Sequence, residues 1–122
     1  MSAEFRQALT ERRDRIEART DALLDAALAE HHRWADALGA PPKQPRAVAA
    51  WRQAAHTVTA YRDRYGITDA SPLGAPTEDD AQKIDAARAR AALDRARTLA
   101  DTGRTQPERP RRATTRPLGP RL

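Results

Sequence analysis

The sequence predicts an all-α protein of three helices followed by a basic tail, on three observations. Apolar residues recur at steps of three, four or seven, the spacing of a helical face. No stretch alternates apolar and polar residues as a half-buried strand does. The periodic runs are interrupted where helices stop: at Pro41-Pro42 and along the turn-forming stretch ITDASPLGAP.

The first helix is expected over residues 2–38. Phe5, Leu9, Ile16, Leu23, Ala27, Trp34 and Leu38 mark its apolar face, Gly39 is placed for a C-terminal cap, and Pro41-Pro42 forbid continuation. The second is expected over residues 46–65, with Val48, Trp51, Ala55, Val58 and Tyr65 as its stripe, Pro45 at the entry and Gly66 as its stop. A third opens with Thr77-Glu78-Asp79-Asp80, which places acids at the positive end of the helix dipole. It continues through Ile84, Leu93 and Leu99 to Gly103. Its face is mostly alanine, so burial at roughly 25 cal/mol per Å² stabilises it little and it is expected to dock last.

Leu, Ile, Val and Phe together supply 16 of 122 residues, fewer than an ordinary globular core contains. Helices that depend on a partner, or on one another only weakly, fit this shortage. There is no cysteine, which excludes disulfides, thiol nucleophiles and thiolate metal sites. The first residues, MSAEFRQALTERRDR, carry charge at once, and no window approaches the about 20 apolar residues of a membrane span, so a cytoplasmic location is expected and no membrane.

Charge divides the chain into a helical region, residues 1–103, with equal numbers of basic and acidic side chains, and a tail, residues 104–122, that carries the net +5. The tail, RTQPERPRRATTRPLGPRL, holds Arg104, Arg109, Arg111, Arg112, Arg116 and Arg121 against Glu108, and four prolines. It is expected to be disordered and to contact DNA phosphate through those six arginines, a salt-dependent, largely sequence-independent interaction. A solubilising terminus, or a crossing to a domain lost from this chain, is the alternative, since no aromatic residue is interleaved for base stacking.

Signals for catalysis are weak. Five glycines occur, none in the spacing of a phosphate-binding loop. His31 and His32 are adjacent, and on a helix they point about 100 degrees apart, which does not suit a shared metal. Glu11, Asp14 and Glu17 interleave with Arg12, Arg13, Arg15 and Arg19 as on a solvated face with pairs one turn apart. Tyr61 and Tyr65 lie one turn apart beside Arg62, Asp63 and Arg64; a tyrosine nucleophile on DNA phosphate, with His56 as base, is the enzymatic reading, and packing of both rings against Trp51 or the following loop, with the charged residues facing water, the structural one. No enzyme activity, cofactor or metal is expected.

The succession Trp34, Leu38-Gly39, Pro42, Trp51, Ala54-Ala55, Val58, Ala60-Tyr61-Arg62, Arg64-Tyr65-Gly66-Ile67 and Pro72-Leu73-Gly74 resembles a helical module found late in large actinobacterial conjugative relaxases of the TrwC/MobF type. The resemblance covers residues 34–101, and an Ala/Arg-rich helix such as RARAALDRARTLA follows the run there too. It implies association with conjugative DNA processing, as an accessory or remnant of a relaxase that binds a DNA-transfer protein. The relaxases' catalytic tyrosine, three-histidine metal site and phosphate-binding loop have no counterpart here. Trp51, Val58, Tyr61, Tyr65, Gly66, Pro72 and Gly74 are accordingly expected to shape a helix-loop unit. The alternative is a helical protein-interaction module that binds no nucleic acid, its first helix pairing with itself or a partner through Leu9, Ile16 and Leu23; the oligomeric state is left open.

Overall fold

The computed structural model describes residues 2–105, with side chains as far as Thr102. Among these residues there are four helices and no strand: α1, Ala3–Ala29; α2, Arg33–Asp36; α3, Pro45–Arg64; and α4, Asp80–Thr105. The all-α class read from the sequence is the class observed, with three long helices. None of them is long and apolar enough to cross a membrane.

Ser2 starts α1, its hydroxyl accepting the Phe5 N–H at 3.1 Å. The helix expected over residues 2–38 divides at Glu30-His31-His32. His31 adopts φ 55°, its N–H reaches the Leu28 carbonyl at 3.3 Å, and the His32 N–H reaches the Ala27 carbonyl at 3.0 Å. This pair of bonds is a Schellman cap, a helix ending that favours glycine at its left-handed position and here accepts histidine. The chain turns and restarts as α2, which places Trp34, Ala35 and Leu38 in the core.

Pro45 begins α3 as its first helical residue, where the missing N–H leaves no bond unmade. Its end is a second Schellman cap: Gly66 has φ 62°, and the Ile67 N–H bonds the Arg62 carbonyl at 2.9 Å. At the start of α4 the Asp79 carboxylate accepts the Gln82 N–H at 2.8 Å, so the N-terminal cap lies within the acidic run where the sequence put it. The helix continues to Thr105, two residues past Gly103; glycine disfavours helix by about 1 kcal/mol but does not forbid it.

The core is formed chiefly where α3 packs on α4, with α2 and the last turns of α1 closing one side. Trp51, Leu24, Leu38 and Val58 are its largest fully buried apolar side chains, each worth about 1.5–3 kcal/mol relative to exposure. Seven of the fifteen buried apolar residues are alanines, which brings the helix axes close and limits the area each contact removes from water. On α4 the buried positions are Ala89, Leu93, Ala96 and Ala100, whereas Ile84, expected on that face, is exposed. On α1 only Thr20, Leu24 and Ala27 are buried; Phe5, Leu9, Ile16 and Leu23 face outward.

Gly39 follows α2 with φ 84°, and a Cβ there would stand 2.6 Å from the Ala100 Cβ of α4. At Gly66 the φ is also positive but the space is open. Gly39→Ala therefore combines left-handed strain with overpacking and is expected to lower stability by about 2–4 kcal/mol, against about 1 kcal/mol for Gly66→Ala. Urea unfolding of the two variants measures the difference; equal losses would mean that α2 and α4 are not in close contact.

Candidate functional site

Three loop carbonyls and one aromatic ring converge on the side chain of Arg62. Arg62 lies in the last turn of α3 and is only 7% exposed. Its Nη1 donates to the carbonyls of Ser71 and Pro72 at 2.8 and 3.1 Å, and its Nη2 donates to the carbonyl of Asp69 at 2.9 Å. The guanidinium carbon sits 4.6 Å from the centre of the Trp34 ring, a cation–π stack. One planar group thus ties the loop after α3 to the end of α3 and to α2. Burial pushes the Arg62 pKa down, and the Asp69 carboxylate partly opposes this; arginine starts so high that the group stays charged near neutral pH.

Around this clamp the other motif residues have structural tasks. The Trp51 Nε1–H donates to the Leu38 carbonyl at 3.2 Å, fixing the end of α2 on α3. Val58 is fully buried. The Tyr61 and Tyr65 rings are tilted against each other at 5.0 Å. The Tyr61 hydroxyl accepts from Gln82 Nε2 at 3.1 Å, and the Tyr65 hydroxyl donates to Asp85, so both tyrosines reach α4. The Pro72 carbonyl is an Arg62 acceptor, and Gly74, φ 68°, turns the chain with its N–H bonded to the Ser71 carbonyl at 3.2 Å.

The structure does not bring Tyr61 and His56 together. His56 Nε2 faces Asp21 of α1 at 3.6 Å, while the Tyr61 hydroxyl is bonded on the α4 side. The Tyr65 phenol is held in its neutral form: the hydrogen bond to Asp85 and burial raise its pKa above the ordinary value, the reverse of what an activated nucleophile needs. His31 and His32 are exposed and sit beside Asp36 and Glu30. Among the described residues no group of His, Cys, Asp and Glu is arranged to hold a metal ion.

Of the arginines assigned to phosphate binding, Arg104 falls in the last turn of α4, and Arg109, Arg111, Arg112, Arg116 and Arg121 lie outside the described residues. The expected disorder of the tail lies there too.

Two surface features remain. An open cleft of about 490 Å³ lies between the last turns of α1, Trp34 and the C-terminal end of α3, lined by Leu23, Ala27, Trp34, Arg62, Asp63 and Ile67. Beside it, Arg19 of α1 grips Asp63 through two bonds, Nε to Oδ2 at 2.9 Å and Nη2 to Oδ1 at 3.0 Å. That hydrogen bond holds the Asp63 carboxyl below its ordinary pKa. Arg52 adds bonds to Asp25 at 3.1 Å and Asp21 at 3.9 Å. Among the described residues α1 forms no ion pair along its own length, so its charges serve the contact with α3 or face solvent and not the expected pairs one turn apart.

No protein-family model, no curated protein and no solved structure matches this chain.

The clamp yields a direct prediction. Arg62→Met keeps an unbranched apolar stem but removes the guanidinium, which leaves the Asp69, Ser71 and Pro72 carbonyls without their donor, and is expected to cost about 3 kcal/mol in urea unfolding. Arg62→Lys should recover less than half of that, because an ammonium lacks the planar fork and stacks poorly on Trp34. A loss below about 1 kcal/mol for Arg62→Met would contradict the clamp, since such a loss is what an exposed arginine costs.

Proposed function

We propose that this chain is a non-enzymatic helical module of conjugative DNA processing, an accessory or remnant of a relaxase, which binds a DNA-transfer protein through its helices and DNA phosphate through its arginine tail. The observation that carries the reading is the Arg62 clamp. The residues of the relaxase-like run are Trp34, Arg62, Gly66, Pro72 and Gly74 among others, and they are consumed in holding one loop and two helices in place. A run that specifies such a scaffold suits a module that presents surfaces to partners. The arginine tail, carrying the whole net charge, supplies the electrostatics for phosphate.

A second reading, a protein-interaction module without nucleic-acid binding, is favoured by α1, whose first half stands clear of the body. Binding to labelled single- and double-stranded DNA across a salt series separates the two. The first reading predicts tight binding at low salt by the full chain, a log–log salt slope on duplex DNA of about −4 to −5, and loss of binding by a chain ending at Thr105, whose helicity is retained. Undiminished binding after truncation would reject the role of the tail, and no binding by the full chain would reject it too and leave the second reading.

A further inference from the structure

We propose that the exposed half of α1 is a docking arm for a partner helix whose apolar seam is flanked by carboxylates; the proposal rests on the protein-binding part of the function above and names the partner's chemistry. Every residue from position 3 to 19 is exposed although the helix is continuous. At 1.5 Å per residue this is an arm of about 25 Å. It carries large apolar side chains into water: Phe5 is 52% and Ile16 56% exposed.

The placement of these side chains is regular. At 3.6 residues per turn, Phe5, Leu9, Ile16 and Leu23 fall within a sector of about 40°. So narrow a stripe suits the seam between two helices; a helix lying in a membrane surface presents a broad apolar face. The stripe also leads somewhere, because Leu23 at its inner end lines the cleft that contains Trp34 and Ile67. A helix laid along the arm would end against that cleft.

Charge selects the partner. On the same helical projection, all five arginines from Arg6 to Arg19 lie within about 95° of the stripe's midline, and all four carboxylates from Glu4 to Glu17 lie beyond about 100°, towards the back. Arg19 is used by the chain itself, in the pair with Asp63 that fastens the base of the arm. Arg6, Arg12, Arg13 and Arg15 form no ion pair among the described residues. A second copy is a poor occupant: whether two arms run parallel or antiparallel, seam against seam brings arginine flanks together. A helix with Asp or Glu beside its apolar seam meets the same flanks with opposite charge, the arrangement by which residues bordering a helical seam choose a partner.

The test uses two synthetic four-heptad peptides with the same leucine seam, one with Glu and one with Lys at every flanking position, each labelled for fluorescence anisotropy against the full chain. The arm predicts micromolar binding of the Glu peptide that weakens with salt, and binding of the Lys peptide weaker by about tenfold or more. Ile16→Asp and the double variant Arg12→Glu, Arg15→Glu change only exposed positions; each should abolish Glu-peptide binding while leaving the circular dichroism melt and DNA binding unchanged. Equal binding of the two peptides, or none, overturns the proposal. So does a dimer in sedimentation equilibrium that Ile16→Asp dissociates, or capture by phosphatidylserine vesicles that Ile16→Asp removes without any peptide binding. Glu-peptide binding that survives Ile16→Asp also overturns it, yet leaves the interaction module standing; DNA binding lost on tail truncation upholds the other half of the function independently.

Discussion

A guanidinium kept out of bulk water governs this architecture. The donors of Arg62 are spent on three loop carbonyls and its face on the Trp34 ring, with the Asp69 carboxylate only partly offsetting its burial. Taking such a charge out of solvent is costly unless its hydrogen bonds are made, so the loop has to supply its carbonyls at fixed positions. Residues 67–79, which form no helix, are thereby folded back onto α3. Because Trp34 is the other partner, the same group sets where α2 lies. From α2 follow the Leu38 carbonyl that receives the Trp51 indole and the approach of Gly39 to α4. A core with seven alanines among fifteen buried apolar residues gains limited area per contact, so a polar tie of this kind carries a larger share of the specificity.

Much of the architecture was legible because it is written in local chemistry. Pro45 and Gly66 bound α3 as proline and glycine should, and the acidic run caps α4 through Asp79. Where the reading departed from the structure, tertiary context had the decision. No helix-stop residue marks the break after Ala29: the left-handed position of that cap is His31, and histidine carries no such signal in sequence. Arg62 sits in a run of charged residues and reads as solvated, since nothing local announces that a loop will bring three carbonyls to it. Ile84 lies about 150° round α4 from the buried Ala89, Leu93, Ala96 and Ala100, so it falls on the opposite side of the helix although α3 reaches that level.

The stripe on α1 shows a different limit of sequence reading. Its period is correct, yet a period states only that one face differs from the others; it does not say whose surface covers that face. The chain's own body takes Thr20, Leu24 and Ala27, one step round the helix, and leaves Phe5, Leu9, Ile16 and Leu23 outside. The arginines at 12, 13 and 15 read as interleaved with acids along the sequence, and only on the helix do the two signs separate.

Native-state amide hydrogen exchange tests the role of Arg62 most directly. The Ile67 and Gly74 amides are bonded to the carbonyls of Arg62 and Ser71, at the two ends of the clamped segment. If the clamp unites loop and core, both amides exchange through the same global opening as the α3 amides around Trp51 and Val58, with the same free energy and the same denaturant dependence. Exchange at Ile67 and Gly74 as fast as at an unprotected surface loop, beside a protected α3, would contradict the account and reduce Arg62 to a local contact.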